Sequence, residues 1–404
     1  MSTSLLYRGF GIRGYRHVKT EYEGGKAIFT VAQEPDLLRC GACGPRHVTR
    51  RGFHRRRFRR LPIGSRPVQA VLDEPRGGCR HCGVVRQVAV GFAGERRRYP
   101  KAFERYVLEL SRRMTIQDVA RHLPVGWDAV KDIRKRSLSR RFRNIELKHL
   151  RQIAIDEISI GRGHRYLTAV LDLLSGAVVF VGDGKGAEAL KPFWKRLKCA
   201  RAKIEAVAMD MPPAHIGAVL TRLPKAVRVF DRFHIVKRFN EKRSGLRRGL
   251  YREATGKRHK DVLKGTRWLP LKNPENLDAT REESKRRHEA LMLNQPWATA
   301  YYGKEDLRQV WEQLDKKAAE RVLDDRIRRT ERSGIRMLKK FAHTRAAHRN
   351  PILNFHDHRI STGPLEGTNT QIRVLQRQAY GFRDSESFKL KTCALHETQY
   401  QLVG

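Results

Sequence analysis

Apolar stretches that lead directly into an acidic residue recur after residue 150, and they constrain the fold more than any other feature. One stretch leads into Asp156 and another into Asp210, while Glu366 follows a Gly-Pro turn at the predicted start of a helix. Short apolar runs of this kind are typical of buried strands, so the pattern predicts carboxylates at one edge of a sheet. Because hard divalent cations prefer carboxylate oxygens, this edge is expected to bind metal. Acids that merely solvate the ends of strands are the alternative.

The order of the predicted elements indicates the fold class. The periodicities predict strands at 153–159, 166–174 and 177–181, a helix at 187–197, a strand at 204–209, a helix at 214–223, a strand at 227–230 and a late helix at 366–378. This β-β-β-α-β-α-β order is that of the ribonuclease H-like fold, an α/β class with a mixed sheet. Residues 233 to about 350 carry helical repeats without a strand pattern, which predicts an α-helical insertion. Its tryptophans Trp268, Trp297 and Trp311 belong either to the core or to base-stacking surfaces.

Two Cys-x-x-Cys pairs lie in the N-terminal part of the chain, Cys40 with Cys43 and Cys79 with Cys82, each followed by glycine. One such turn presents two thiolates, so two pairs predict a closed tetrahedral zinc site within a small β module. Unrelated cysteines or a redox pair are the alternative. The chain shows no signal peptide, and metal-binding thiols are typical of a reducing compartment, so the expected location is cytoplasmic.

The charge balance indicates a polyanionic partner. The 404 residues include 85 Lys and Arg against 42 Asp and Glu, a formal net charge of +43. Most of this excess must lie on the surface, because unpaired charges are rarely buried. A membrane surface is the competing polyanion, but no apolar run approaches the ~18 residues that a spanning helix needs. Nucleic acid is therefore the predicted partner.

Eight arginines and two phenylalanines occupy residues 46–60, between the two cysteine pairs. So dense a run predicts phosphate contacts, with a solvated basic loop as the alternative. The candidate DNA-binding arginines are Arg50, Arg51, Arg55, Arg56, Arg57, Arg59 and Arg60.

Residues 101–142 have helical spacing interrupted by turns. Thr115 is a suitable N-cap for a helix at 116–123, and a second helix begins at Trp127 after a short turn. Helix, turn and basic helix is the helix-turn-helix order, in which the last helix enters the major groove of DNA. Lys131 and Arg134 are then candidate DNA contacts beside Trp127. An ordinary packing unit of three helices is the alternative.

Together these motifs resemble the transposases of the insertion-sequence ISL-three family, from the zinc module through nearly the whole length. The matching stretches are Cys40-Gly41-Ala42-Cys43, Cys79-Arg80-His81-Cys82, Asp156-Glu157 followed by Gly163-His164-Arg165-Tyr166, Asp210-Met211, Asp231-Arg232-Phe233-His234, Glu366-Gly367-Thr368-Asn369 and Tyr380-Gly381-Phe382-Arg383. The resemblance implies a DDE transposase with Asp156, Asp210 and Glu366 as its catalytic triad. It also implies a zinc-ribbon-like module at 1–98, a helix-turn-helix domain at 99–148 and a catalytic domain at 149–404, with the insertion at about 240–350.

The implied chemistry is Mg²⁺- or Mn²⁺-dependent cleavage and joining of DNA strands, supported by two metal ions at the triad and one structural zinc. Asp156 would contact both ions, and Asp210 and Glu366 one each. The implied partners are the terminal inverted repeats of the element and target DNA, bound by a homodimer or larger assembly at the bacterial nucleoid.

Four further residues are auxiliary candidates. Arg373 and Arg377, on or near the helical face of Glu366, would contact phosphate, and Asp231 with His234 would orient DNA or protons. Ordinary salt bridging is the alternative for Arg373, Asp231 and His234. Two other functions stay open for the chain as a whole, namely a DNA-binding regulator derived from a transposase and a structure-specific nuclease that cuts without joining.

Overall fold

The computed structural model describes residues 3–34, 38–44, 48–95, 97–161, 164–211, 213–265, 269, 272 and 276–396. The chain divides into two compact units. The N-terminal unit consists of Met1–Asn144 and Arg377–Leu390, and the C-terminal unit of Ile145–Gln376 and Lys391–Gly404. None of the helices described is both long and apolar enough to cross a membrane.

The N-terminal unit begins with a small α/β module. Its elements are α1 (Thr3–Phe10), β1 (Tyr15–Glu23), β2 (Lys26–Gln33), β3 (Val48–Ile63), β4 (Arg66–Cys79) and β5 (Val85–Gln87). The strand order is β1-β2-β4-β3, with β5 added on β4. The arginine run forms the long strand β3, which pairs antiparallel with β4 through a turn at Gly64 with a positive φ of 59°. Phe58 and other apolar side chains pack into the core of the module.

Three helices complete this unit: α2 (Lys101–Leu110), α3 (Ile116–His122) and α4 (Trp127–Phe142). They enclose an apolar core that includes Phe103, Val119 and Ile133. The predicted N-cap is confirmed, because the Thr115 hydroxyl oxygen accepts a hydrogen bond from the amide of Asp118 at 3.1 Å. The predicted order of helix, turn and basic helix is therefore present.

The C-terminal unit is built on a second mixed sheet. Its first elements are β6 (Gln152–Gly161), β7 (Arg165–Asp172), β8 (Val178–Asp183), α5 (Lys191–Ala200), β9 (Ala206–Met209), α6 (Pro213–Arg222) and β10 (Val227–Phe230). The strand order is β10-β9-β6-β7-β8. The first three strands are antiparallel neighbours, whereas β9 and β10 run parallel to β6. This topology confirms the predicted ribonuclease H-like class.

Helices make up the rest of the C-terminal unit. They are α7 (Arg232–Glu253), α8 (Lys257–Gly265), α9 (Glu283–Leu293), α10 (Gln295–Glu312), α11 (Lys316–Arg332), α12 (Arg336–Ala347), α13 (Arg349–Leu353) and α14 (Gly363–Gln378), and α15 (Ser385–Cys393) follows in sequence. The helical character predicted for residues 233–350 is therefore confirmed in the described part. Trp297 and Trp311 are buried, as predicted for core residues, and Trp268 lies outside the described residues.

Candidate active site and metal centres

Two of the predicted acids lie side by side on the central strands of the second sheet. Strands β6 and β9 are parallel with Ile155 opposite Met209, so the next residue on each is an aspartate. Each carboxylate accepts a hydrogen bond from the amide of the following residue, at 2.8 Å for Asp156 and 2.6 Å for Asp210. The sheet therefore fixes both acids at one end of the β6–β9 pair.

Helices α14 and α7 bring Glu366 to the same place. The His234 ring lies between two acids, with Nδ1 3.5 Å from an oxygen of Asp210 and Nε2 3.5 Å from an oxygen of Glu366. Asn369, one turn after Glu366, donates a hydrogen bond to Asp156 at 2.8 Å. His234 thus lies between Asp210 and Glu366, and Asn369 joins the helix of Glu366 to Asp156.

Burial and mutual repulsion act on these carboxyl groups. Desolvation raises the pKa of Asp156, and the nearby Asp210 adds to this rise, while the amide of Glu157 and His234 oppose it. Desolvation also raises the pKa of Glu366, with further contributions from Asp231 and Asp156. A raised carboxyl pKa means that the anions are held at a cost, which a bound cation would offset. Carboxylate oxygens are the ligands that a hard divalent ion prefers, although those of Asp156, Asp210 and Glu366 do not all lie within 4.8 Å of one another.

Two neighbouring acids have other partners. The buried carboxylate of Asp231 accepts the amide of Phe233 at 2.6 Å, which caps α7, and the amide of Thr362 at 2.7 Å, just before α14. Glu157 accepts the amide of Gly186 at 2.9 Å and lies 3.1 Å from the ring of buried His215, which lowers its pKa. Both acids therefore hold local structure in place.

Sequence reasoning assigned no role to Asn369, Arg238 or His215. Arg238, one turn after His234 on α7, lies 3.5 Å from Asp210. Asn369 and Arg238 could have been found from their spacing. Asn369 lies three residues after Glu366 and Arg238 four residues after His234, so each shares a helical face with a predicted site residue. His215 carried no such signal.

The four predicted zinc ligands form a cluster in the N-terminal unit. Their four ligand atoms all lie within 4.8 Å of one another. Among the residues that the structure describes, no other group of three or more His, Cys, Asp or Glu side chains is as compact. The Sγ atoms of Cys40 and Cys82 are 3.8 Å apart, and those of Cys43 and Cys79 are 3.5 Å apart. A tetrahedral zinc with Zn–S bonds of about 2.3 Å requires sulfur separations of about 3.8 Å, so the cluster fits this ion.

The backbone prepares each cysteine pair in the same way. Gly44 donates to the carbonyl of Cys40 at 3.1 Å, and Gly83 donates to that of Cys79 at 2.9 Å. Both glycines have positive φ, 88° and 69°, which explains the glycine after each pair. Amide hydrogen bonds from Cys43 and Ala42 lower the pKa of Cys40 to about 6, and the amide of Cys82 lowers that of Cys79. The thiolate, the form that binds metal, is thereby favoured at Cys40 and Cys79, whereas burial and the neighbouring thiols raise the pKa of Cys43.

The arginines of β3 differ in exposure. Those whose side chains are exposed are Arg50, Arg51, Arg55 and Arg57. Arg55 pairs with Asp73 at 2.7 Å, and the half-buried Arg56 pairs with Glu74 at 2.9 Å. Arg60 is buried and donates to the carbonyl of Phe10, so the prediction that it contacts DNA is corrected: its guanidinium points into the core. Arg46 lies outside the described residues.

The candidate recognition helix α4 exposes its first turns. Trp127 is exposed, and the Lys131 ammonium lies 5.2 Å from the centre of its ring. Arg134 is buried, and burial lowers its pKa, so the prediction that this side chain contacts DNA is also corrected. Arg373 and Arg377 on α14 are both exposed.

A ribonuclease H-like sheet that follows a helix-turn-helix segment and a four-cysteine module is the architecture of a DDE transposase. A family model for the DDE region of ISL3 elements, described as a transposase, matches residues 153–392. A second model, described as the helix-turn-helix domain of transposase family ISL3, matches residues 88–137.

Two curated relatives agree with these matches. The chain is 31% identical over 361 residues to the transposase for insertion sequence element IS1001 of Bordetella parapertussis, covering 88% of each chain. It is 30% identical over 391 residues to the transposase for insertion sequence element IS1557 of Mycobacterium tuberculosis, covering 90% of this chain and 87% of the relative. The chain therefore belongs to the ISL3 family of insertion-sequence transposases, with a DDE domain and a helix-turn-helix DNA-binding domain.

Proposed function

We propose that Asp156, Asp210 and Glu366 form the catalytic triad that cuts and rejoins DNA at the ends of an insertion sequence. The observation that carries this proposal is the convergence of the three carboxylates around His234 and Asn369. Two divalent ions bound by such oxygens would activate the attacking oxygen and stabilise the leaving oxygen. Transposases of the DDE class typically work with divalent metals, which agrees with this ligand set.

The residues of the chain have separate tasks in this scheme. Asn369 holds one oxygen of Asp156, which leaves the strand-borne acids in a fixed orientation. His234 and Arg238 supply positive or proton-donating groups beside Asp210, where they can orient a phosphate of the scissile strand. Arg373 and Arg377 remain candidates for phosphate contacts because their guanidinium groups are exposed.

DNA binding falls to the N-terminal unit in this proposal. Exposed Arg50, Arg51 and Arg57 on β3 would contact phosphates, and Trp127 with Lys131 on α4 would contact bases. Zinc at the four cysteines would stabilise this unit, and the terminal inverted repeats would be its DNA target. The same proposal includes a homodimer or larger assembly that works at the nucleoid. It also divides the chain into three domains, with boundaries at residues 98 and 148.

An assay with the element's own ends tests the function directly. Purified protein and Mg²⁺ should convert a labelled terminal duplex into cleaved and strand-joined products, and a chelator should remove both. Cleavage without joining would favour the structure-specific nuclease. Binding without cleavage in Mg²⁺ or Mn²⁺ would favour the regulator.

Replacing Asp231 by Asn tests whether this buried acid positions the site. Asn keeps one acceptor oxygen, so only one of the two amides of Phe233 and Thr362 stays bonded, and the start of α7 or α14 is released. We expect roughly tenfold or greater loss of cleavage and a higher Mg²⁺ concentration at half-maximal rate, because displacements of about 1 Å in the catalytic groups affect such sites strongly.

The matched control is Asp315→Asn, which changes the N-cap of α11, where, within the described part of the chain, the carboxylate accepts the amide of Ala318 at 2.8 Å and no second amide. Asn is as good an N-cap as Asp, so this variant should keep wild-type cleavage. An Asp231→Asn protein with an unchanged Mg²⁺ dependence would show that Asp231 does not position the site.

A further inference from the structure

A basic cleft of about 400 Å³ lies within the N-terminal unit, between the sheet and the helix-turn-helix segment. Its lining residues among those described include four cations and no acid. The cations are Lys26, Arg57, Arg59 and Arg98, and the turn residues Pro124 and Val125 form part of the wall. A concave surface with one sign of charge concentrates the field of its cations, so this cleft favours an anion.

Arg59, on β3 of the sheet, forms hydrogen bonds with the segments on the other side of the cleft. Its guanidinium donates to the carbonyl of Leu123 at 2.8 Å, and its backbone amide donates to the carbonyl of Arg98 at 3.1 Å. The Nε of Arg59 and the side-chain oxygen of Gln69 are buried and have no hydrogen-bond partner within the described residues. Burial also lowers the pKa of Arg59, as expected for a guanidinium that lacks a nearby anion. A bound anion would accept a hydrogen bond from this N–H group, whereas the Gln69 oxygen is itself an acceptor and needs a separate donor.

The neighbouring end of α4 points to the same ligand. Gly126, the N-cap of this 16-residue helix, offers no side-chain hydrogen bond to the first amides, and it directly follows Val125 of the cleft wall. Free amides at the start of a helix attract phosphate, and arginine offers it two parallel hydrogen bonds. A phosphate in the cleft would therefore lie beside the turn that leads into Trp127.

We propose that this cleft binds a backbone phosphate of duplex DNA, next to the base pairs that α4 contacts. The proposal rests on DNA binding by the helix-turn-helix segment and adds a separate backbone contact to it. Lys26 and Arg98, which sequence reasoning did not select, become DNA-binding residues together with Arg57 and Arg59. The contact fixes the register of α4 on the DNA without reading sequence.

Single substitutions of two of the exposed cations, Lys26 and Arg98, test the site. Arg98→Ala or Lys26→Ala removes charge from the cleft but leaves the Arg59 hydrogen bond to the Arg98 backbone in place. Each loss of a phosphate contact should lower the slope of log K against log salt by about 0.9 and weaken end-binding several-fold, with base preference unchanged. Arg16→Ala, at an exposed position of β1 outside the cleft lining, is the charge-matched control.

A neutral methylphosphonate placed at one linkage at a time then locates the contact. One linkage next to the α4 site should weaken binding by wild type and by Arg16→Ala, while Arg98→Ala, which keeps three of the four cations of the cleft, should lose clearly less there. The proposal is overturned if Arg98→Ala and Arg16→Ala have the same salt slope, or if every methylphosphonate weakens Arg98→Ala as much as wild type. Because binding is measured without cleavage, a failure of the catalytic triad would not affect this result.

Discussion

Replacing Glu366 by Gln is expected to abolish strand cleavage and joining while leaving folding and DNA binding close to wild type. Gln retains the size and one oxygen of the side chain but removes the anion that a divalent ion needs. The Glu366 side chain is 37% exposed, so its amide can be solvated without disturbing the buried Leu365 beside it. Loss of several kcal/mol of transition-state stabilisation corresponds to a rate reduction of about a thousandfold or more. Single-turnover cleavage of a labelled element end measures it.

The other triad members should behave alike, with one difference. Asp156 accepts hydrogen bonds on both oxygens, from the Glu157 amide and from Asn369, so Asp156→Asn loses one of them as well as the charge. Glu366→Gln is therefore the cleaner test. Combining it with Asp210→Asn should cost little more than one change, because residues that act as a unit are not additive.

Asp183→Asn is the matched control for these variants, since Asp183 is an exposed acid at the end of β8 on the same sheet. Asp172 is less suitable, because its carboxylate accepts the amides of Leu174 and Ser175 and so holds the turn after β7. Substantial activity is expected in Asp183→Asn. If Glu366→Gln still cuts and joins element ends in Mg²⁺, Glu366 is not part of the site.

The catalytic fold was predictable because its strands are buried and therefore locally apolar. The predicted strand at 227–230 coincides with β10, and the run at 204–209 overlaps β9 at Ala206–Met209. Both strands are recognisable from hydrophobicity alone, since the sheet has helices packed against it. Asp210 is then identified as the residue that directly follows β9 in the sequence.

Strand β3 could not be predicted in the same way. Arginine dominates it, so no alternation of apolar and polar residues marks the two faces. The strand forms because its backbone pairs with β4 over nearly its full length, while Phe58 enters the core. Arg60 enters the core too, where its guanidinium lies 5.2 Å from the Phe92 ring, a contact that depends on residues distant in sequence.

The contacts within the candidate site could not be predicted from local sequence patterns either. Sequence reasoning placed Asp231 and His234 together as auxiliary residues, but their roles separate in the structure. The His234 ring faces two acids, whereas both oxygens of Asp231 accept backbone amides at the starts of α7 and α14. These different contacts depend on the side of the first turn of α7 on which each residue lies. They also depend on α14, which begins more than a hundred residues later in the sequence.

Replacing Cys79 by Ser should remove bound zinc and unfold the N-terminal module. Its Sγ lies 3.5 Å from that of Cys43, so losing it leaves three thiolates around the position that a tetrahedral ion requires. Binding to structural zinc sites is coupled to folding and contributes on the order of 10 kcal/mol, which is comparable to the whole stability of a small module. Elemental analysis of wild type should give one zinc per chain, and the variant close to none.

Cys199→Ser is the matched control, because Cys199 is an exposed cysteine on α5 that lies outside the four-cysteine cluster. It should keep its zinc and its melting curve. The Cys79 variant should lose a thermal unfolding transition and most of its binding to element ends. Binding should fall because the unfolded module contains β3 with its exposed arginines, and because the same sheet forms one wall of the cleft beside α4. Soluble wild-type protein that binds DNA without zinc would exclude a structural role for the metal. Normal zinc content in Cys79→Ser would instead exclude Cys79 as a ligand.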